Sequence, residues 1–142
     1  MRATNLTNQV TKSLTVVMAV VLLTGSVSGQ TISTEAKKLK CAIDNLIVGI
    51  QSSNEGVKRD CIYFAGKYEI AETVNSLIDE LKHEKNPKDR ALIALALYRI
   101  GNEKGIQAVY EASLTETDAK VKHTCNAIVA EYKAAKAVVA NE

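Results

Sequence analysis

The sequence has one proline, no tryptophan, five tyrosines, one phenylalanine, two histidines and three cysteines in 142 residues. With alanine and leucine frequent, that balance favours helix over sheet. His83 and His123 fall at opposite ends of different helical patterns. Neither has a His or Cys at i+3 or i+4, which argues against a zinc site. His123 and Cys125 are two apart, so on a helix they diverge and form no nucleophile–base pair. No glycine-rich loop has the spacing or strand context of a phosphate cradle. The chain carries no catalytic motif, and no cofactor or metal is expected.

An excess of one charge is also missing. The formal net charge is +2, from 18 Lys+Arg and 16 Asp+Glu. Arg2 and Lys12 lie in an N-terminal segment without acidic residues, and removing them leaves 16 against 16. The remaining chain is neutral, which argues against nucleic acid and acidic membranes as partners.

No apolar run is long enough to span a bilayer, which takes about 20 residues. The apolar core of residues 14–23 follows Arg2 and Lys12 and precedes the small-residue tail Thr24-Gly25-Ser26-Val27-Ser28-Gly29. This order reads as a cleavable export signal over 1–29, with Val27 and Gly29 at the recognition sites of a signal peptidase. No cysteine stands at the cleavage region, so a bacterial lipid anchor is not indicated. The expected location of residues 30–142 is a bacterial periplasm or the cell exterior, without stable membrane insertion.

Three cysteines in an exported chain leave at least one unpaired within a monomer. Cys41, Cys61 and Cys125 each sit in a helical pattern, where buried Cys acts as a small hydrophobe. In a hairpin turning near residue 53, Cys61 would face residue 45 or 46, which disfavours a bond to Cys41.

What is present is a repeat. Asn54, Asn86 and Asp118 are 32 residues apart, and each is a good N-cap type. At the same shift Val57, Asp89 and Val121 align, as do Lys58, Arg90 and Lys122. Cys61, Ile93 and Cys125 align, then Phe64, Ala96 and Ile128, then Tyr68, Ile100 and Tyr132. These apolar columns recur at three and four, one face of a helix. Helices are predicted over 34–52, 55–67, 69–84, 87–100, 103–115 and 119–139, forming three antiparallel pairs. The helix over 87–100, opened by Asn86-Pro87 and closed by Gly101, is apolar most of the way round. It expects neighbours on more than one side. The fold class is all-α: a short right-handed α-solenoid of about three helix pairs.

The columns Val57-Lys58-Arg59 and Val121-Lys122-His123, and the run Asp89-Arg90-Ala91-Leu92-Ile93-Ala94-Leu95-Ala96-Leu97, resemble HEAT-like repeats. That resemblance covers about residues 36–134. It implies a non-enzymatic protein-binding scaffold, with bilin lyases and DNA binders among the family's other members. In such repeats the basic column often pairs with groups at the neighbouring turn. Here that would be a ladder of Lys58, Arg90 and Lys122 with Asn54, Asn86 and Asp118.

The candidate binding residues are Lys58, Tyr63, Arg90, Tyr98 and Lys122, on the second helix of each pair. Tyr63 and Tyr98 fall off the apolar stripe, whereas Phe64, Tyr68 and Tyr132 read as core. Asp79, Glu80 and Glu84 read as a solvated helix end. The expected partner is another protein. Alternatives are a chromophore- or small-molecule-handling lyase, or an envelope protein that self-associates through its open repeat ends.

Overall fold

The computed structural model describes the backbone of residues 28–139 and the side-chain surroundings of 34–139. The apolar core of the predicted export signal lies outside the described residues. The chain divides into two units, 1–40 and 41–142. In the first, Glu35 and Lys38 pair at 2.9 Å one helical turn apart. The second carries the fold.

Among the described residues every element is helical: α1 (Ser28–Ile50), α2 (Glu55–Lys67), a 3-10 turn (Ala71–Thr73), α3 (Val74–His83), α4 (Pro87–Ile100), α5 (Glu103–Thr115) and α6 (Ala119–Val139). The capping signals act as read. The Asn54 side chain accepts from the N–H groups of Gly56 and Val57. Asn86 accepts from Lys88, and Asp118 from Lys120 and Val121. Pro87 opens α4, and Gly101 closes it at φ 69°.

The helix expected over 69–84 starts late, and position 70 explains it. Its 32-residue equivalent is Asn102, whose side chain caps α5 by accepting from the Lys104 N–H. The Ile70 side chain has no acceptor to offer. The chain therefore enters through the 3-10 turn, where the Thr73 hydroxyl donates to the Ile70 carbonyl at 2.7 Å. Glu69 takes φ 53°, the left-handed conformation that glycine provides at the equivalent Gly101.

The helices form two rows. In one, α2 packs on α4 and α4 on α6; in the other, α3 packs on α5. Across the rows α3 meets α4, α4 meets α5, and α5 meets α6. Helix α4 thus has four neighbours, and Ile93, Ala94 and Leu97 are fully buried. The core around them includes the fully buried Ile62 and Ala65 from α2, Leu77 from α3, Val109 from α5 and Cys125 from α6. Where α2 crosses α4 the backbones approach closely: a Cβ on Gly66 would stand 2.8 Å from the Ala96 Cα.

The expected first pair does not close. The last turn of α1 meets α2. Ile50 is fully buried, and Gly49 is pressed against the Cys61 side chain. Ile43 and Ile47 stay half-buried, and Val48 is 68 % exposed. The apolar stripe of α1 does not repeat at 32; Ile50 enters the core and Leu46 packs against it.

Candidate functional site

The basic column divides into residues that hold the helices and one that does not. Lys58 donates to Glu84 at 3.1 Å and also to Glu80, with 17 % of its side chain exposed. Arg90 makes a bidentate pair with Glu116, both bonds 2.7 Å. It also donates to the Lys85 carbonyl at 2.7 Å. Glu84 and Glu116 are 32 residues apart, and each lies two residues before a cap. Each accepts a second bond from the N–H of that cap, Asn86 or Asp118, at 2.8 Å. The rungs therefore run Lys58–Glu84 and Arg90–Glu116.

This corrects the expected ladder. The caps Asn54, Asn86 and Asp118 spend their side chains on their own helices, and the glutamates preceding them take the bases. It also corrects the reading of Glu80 and Glu84 as solvated, since their side chains are 15 % and 10 % exposed. The 32-residue spacing of Glu84 and Glu116 was the available signal. Lys122, the third of the column, is exposed and makes no such pair among the described residues.

The electrostatics agree with the geometry. The Arg90 guanidinium holds the Glu116 carboxyl below the usual glutamate range, against the opposing effect of burial. At Glu84 burial pushes upward, but the Asn86 N–H and Lys58 together outweigh it and the net shift is down. A further pair, Arg59 with Asp89, joins α2 to α4 at 2.6 and 3.0 Å. Asp89 is 3 % exposed, and its pairing with Arg59 explains an acid in a column otherwise held by Val57 and Val121.

Tyr63 and Tyr98 line one groove between α2 and α4, about 630 Å³ in volume. Leu92, Leu95 and Ala96 supply apolar lining, and Lys67 and Arg99 line it with positive charge. Tyr63 is 51 % exposed and Leu95 44 %. The Lys67 ammonium sits 5.6 Å from the Tyr63 ring centre. The Glu131 carboxylate on α6 lies near the Tyr98 hydroxyl and raises its pKa. Its ring lies half-buried at the groove. Leu95, Lys67 and Arg99 escaped the sequence reading because they hold no repeat column. A more polar hollow of about 530 Å³ lies beside the ladder, and its Glu84, Arg90 and Glu116 are already paired with one another or with Lys58.

No disulfide is formed: Cys41 is exposed, Cys61 partly buried and Cys125 buried. Cys61 faces Gly49 rather than residue 45 or 46, so Cys41 lies about 12 Å further along the α1 axis. Burial pushes the Cys61 and Cys125 thiols up, away from the nucleophilic thiolate. Among the described residues no cluster of three or more His, Cys, Asp or Glu is arranged to hold a metal, and no helix is long and apolar enough to cross a membrane. A comparison with protein-family models finds none that matches this chain, and a comparison with curated proteins finds no match either.

Proposed function

We propose that residues 30–142 form a short right-handed α-solenoid of HEAT-like repeats. It acts outside the cytoplasm as a non-enzymatic scaffold that binds another protein. The observation that carries this reading is the groove between α2 and α4. It is apolar and open, lined by two tyrosines on different repeats, and edged by the exposed cations Lys67 and Arg99. Tyrosine gives large contact area at low entropy cost, and such anchors dominate protein interfaces. The cationic edge selects the occupant: an apolar segment of a partner that carries carboxylates beside its anchor residues. Lys58 and Arg90 leave the binding set in this reading, because their charges are neutralised within the fold. The row of α2, α4 and α6 beside the row of α3 and α5 supports the repeat architecture, with each 32-residue step adding one helix to each row.

Affinity capture from the envelope fraction tests the surface. Tyr63→Ala with Tyr98→Ala is expected to weaken retention of a reproducible partner by about tenfold or more, with helicity unchanged by circular dichroism. Undiminished capture by the double variant would remove the groove from the interface.

A further inference from the structure

We propose that two copies of this chain pair through α2, antiparallel about a two-fold axis, with Asp60 of each copy meeting Lys67 of the other. The repeat columns mark the face as a joint without its second half. Phe64 aligns with Ala96 on α4 and with Ile128 on α6. Ala96 lies against Gly66 of the preceding helix, and Ala96 and Ile128 are each 4 % exposed. Helix α2 is the first of its row, and there the same column stands open, with Phe64 42 % exposed. Tyr68 stacks on Phe64 at 6.1 Å, and the Tyr63 ring lies 5.7 Å from it. Half of the chain's aromatic residues thus form one exposed cluster that continues an internal helix–helix interface.

The charges beside this cluster are arranged to meet a copy of themselves. At about 100° per residue, Asp60, Phe64 and Lys67 fall within about 60° of one another around α2. Asp60 and Lys67 stand equally far from the point between Tyr63 and Phe64. They are seven residues apart, about 10 Å along the helix, too far to neutralise each other within one copy. Both are exposed, and neither makes an ion pair among the described residues. The Lys67 ammonium rests 5.5 Å from the Tyr68 ring centre and 5.6 Å from that of Tyr63, which holds it beside the cluster. A second α2 turned about that central point brings acid to base twice and sets the two Phe64 rings together. The last turn of α1 lies to one flank, where Gly49 meets Cys61 and Val57, and leaves Asp60, Phe64 and Lys67 exposed.

The other end of the row favours closure over a filament. The outer face of α6 shows Lys122, His123, Asn126 and Ala130, all exposed, and gives an aromatic cluster little to bury against. An isologous α2 contact closes after two copies. It removes on the order of 1,000 Å² from water, the lower bound for a specific interface, so the dimer is reversible. Tyr63 and Lys67 also line the α2–α4 groove, so the two surfaces adjoin, whereas Asp60 and Phe64 belong to this face alone.

Sedimentation velocity of the full chain as expressed, over a concentration series, tests the proposal. The unaltered protein should rise to twice the single-chain mass and no further. Asp60→Lys and Lys67→Glu each set like charges together at both ends of the contact, and each should weaken the dimer about tenfold or more, with helicity retained. Mixing the two variants should restore a one-to-one dimer, because Lys at 60 then meets Glu at 67 and the native Lys67 meets the native Asp60. Phe64→Ser should give monomer with both charges in place. Tyr98→Ala alters the groove and should leave the dimer unchanged. Mass reports the dimer with no other protein present, so a failed groove and a failed dimer give different results. A monomer at every concentration overturns the proposal, as does a dimer indifferent to both charge reversals. A mixture that stays monomeric, or masses that climb past two copies, overturns it as well.

Discussion

Helix α4 makes two joints, one with α2 and one with α6, through equivalent columns and with different chemistry. At the first, Arg59 meets the buried Asp89. At the second the same two columns hold Ala91 and Val121, both apolar, and Val121 is 3 % exposed. The first closes on Gly66 against Ala96, whereas the second brings Glu131 near the Tyr98 hydroxyl. One feature is common to both steps: a base on one repeat held by a glutamate before the next cap, Lys58–Glu84 and then Arg90–Glu116. The rung belongs to the step from repeat to repeat. The residues that break the repeat belong to a single joint and fix which helix follows which.

The largest expected effect comes from cutting a rung. Glu116→Ala leaves Arg90 without its bidentate partner and Asp118 without its N–H acceptor, and should cost about 3 kcal/mol. Glu84→Ala should cost less, about 1–2 kcal/mol, because Lys58 keeps Glu80. Urea denaturation of both variants measures the difference. Both carboxyls titrate below their ordinary range in the fold. Their contribution is therefore complete above the unfolded value and is lost as pH falls below about 4.3. Replacing both by Gln should flatten that acid limb.

Next comes the joint itself. Arg59→Ala strands the buried Asp89 and should lower the melting temperature. Adding Asp89→Val copies the second joint and should return most of the loss. A double variant no more stable than the single one would show that the two joints are not interchangeable. The smallest effect concerns two equivalent left-handed residues, Glu69 and Gly101. Glu69→Gly should stabilise by about 1 kcal/mol, read as a rise in denaturation midpoint.

Much of the helical layout was legible because it is written in local chemistry. Three caps at one spacing, a Pro–Gly bracket around α4 and columns at three and four specify where most helices begin and which faces they bury. The misses arise where the deciding partner is distant in sequence. Asp89 breaks its column because Arg59, 30 residues earlier, needs a counter-charge. Glu84 looks like part of a solvated cluster until Lys58 is brought beside it from α2. Phe64 and Tyr68 occupy core columns yet stand exposed, because α2 is the first helix of its row and has no preceding repeat helix to pack on as α4 and α6 do. At the site, Tyr63 and Tyr98 were visible as aromatics off the stripe. The lining residue Leu95 and the cations Lys67 and Arg99 needed the α2–α4 crossing.

The central claim is a division of labour, in which Lys58 and Arg90 hold the helices while the Tyr63–Tyr98 groove recognises a partner. The most direct measurement places a photo-crosslinking amino acid at Leu95 in the groove, and separately at Lys122 on α6, in the full chain in its native compartment. An adduct of one discrete mass from position 95, lost when Tyr63 and Tyr98 are both alanine and absent from position 122, is the expected result. Adducts from position 122 alone, or equal adducts from both positions, would contradict it.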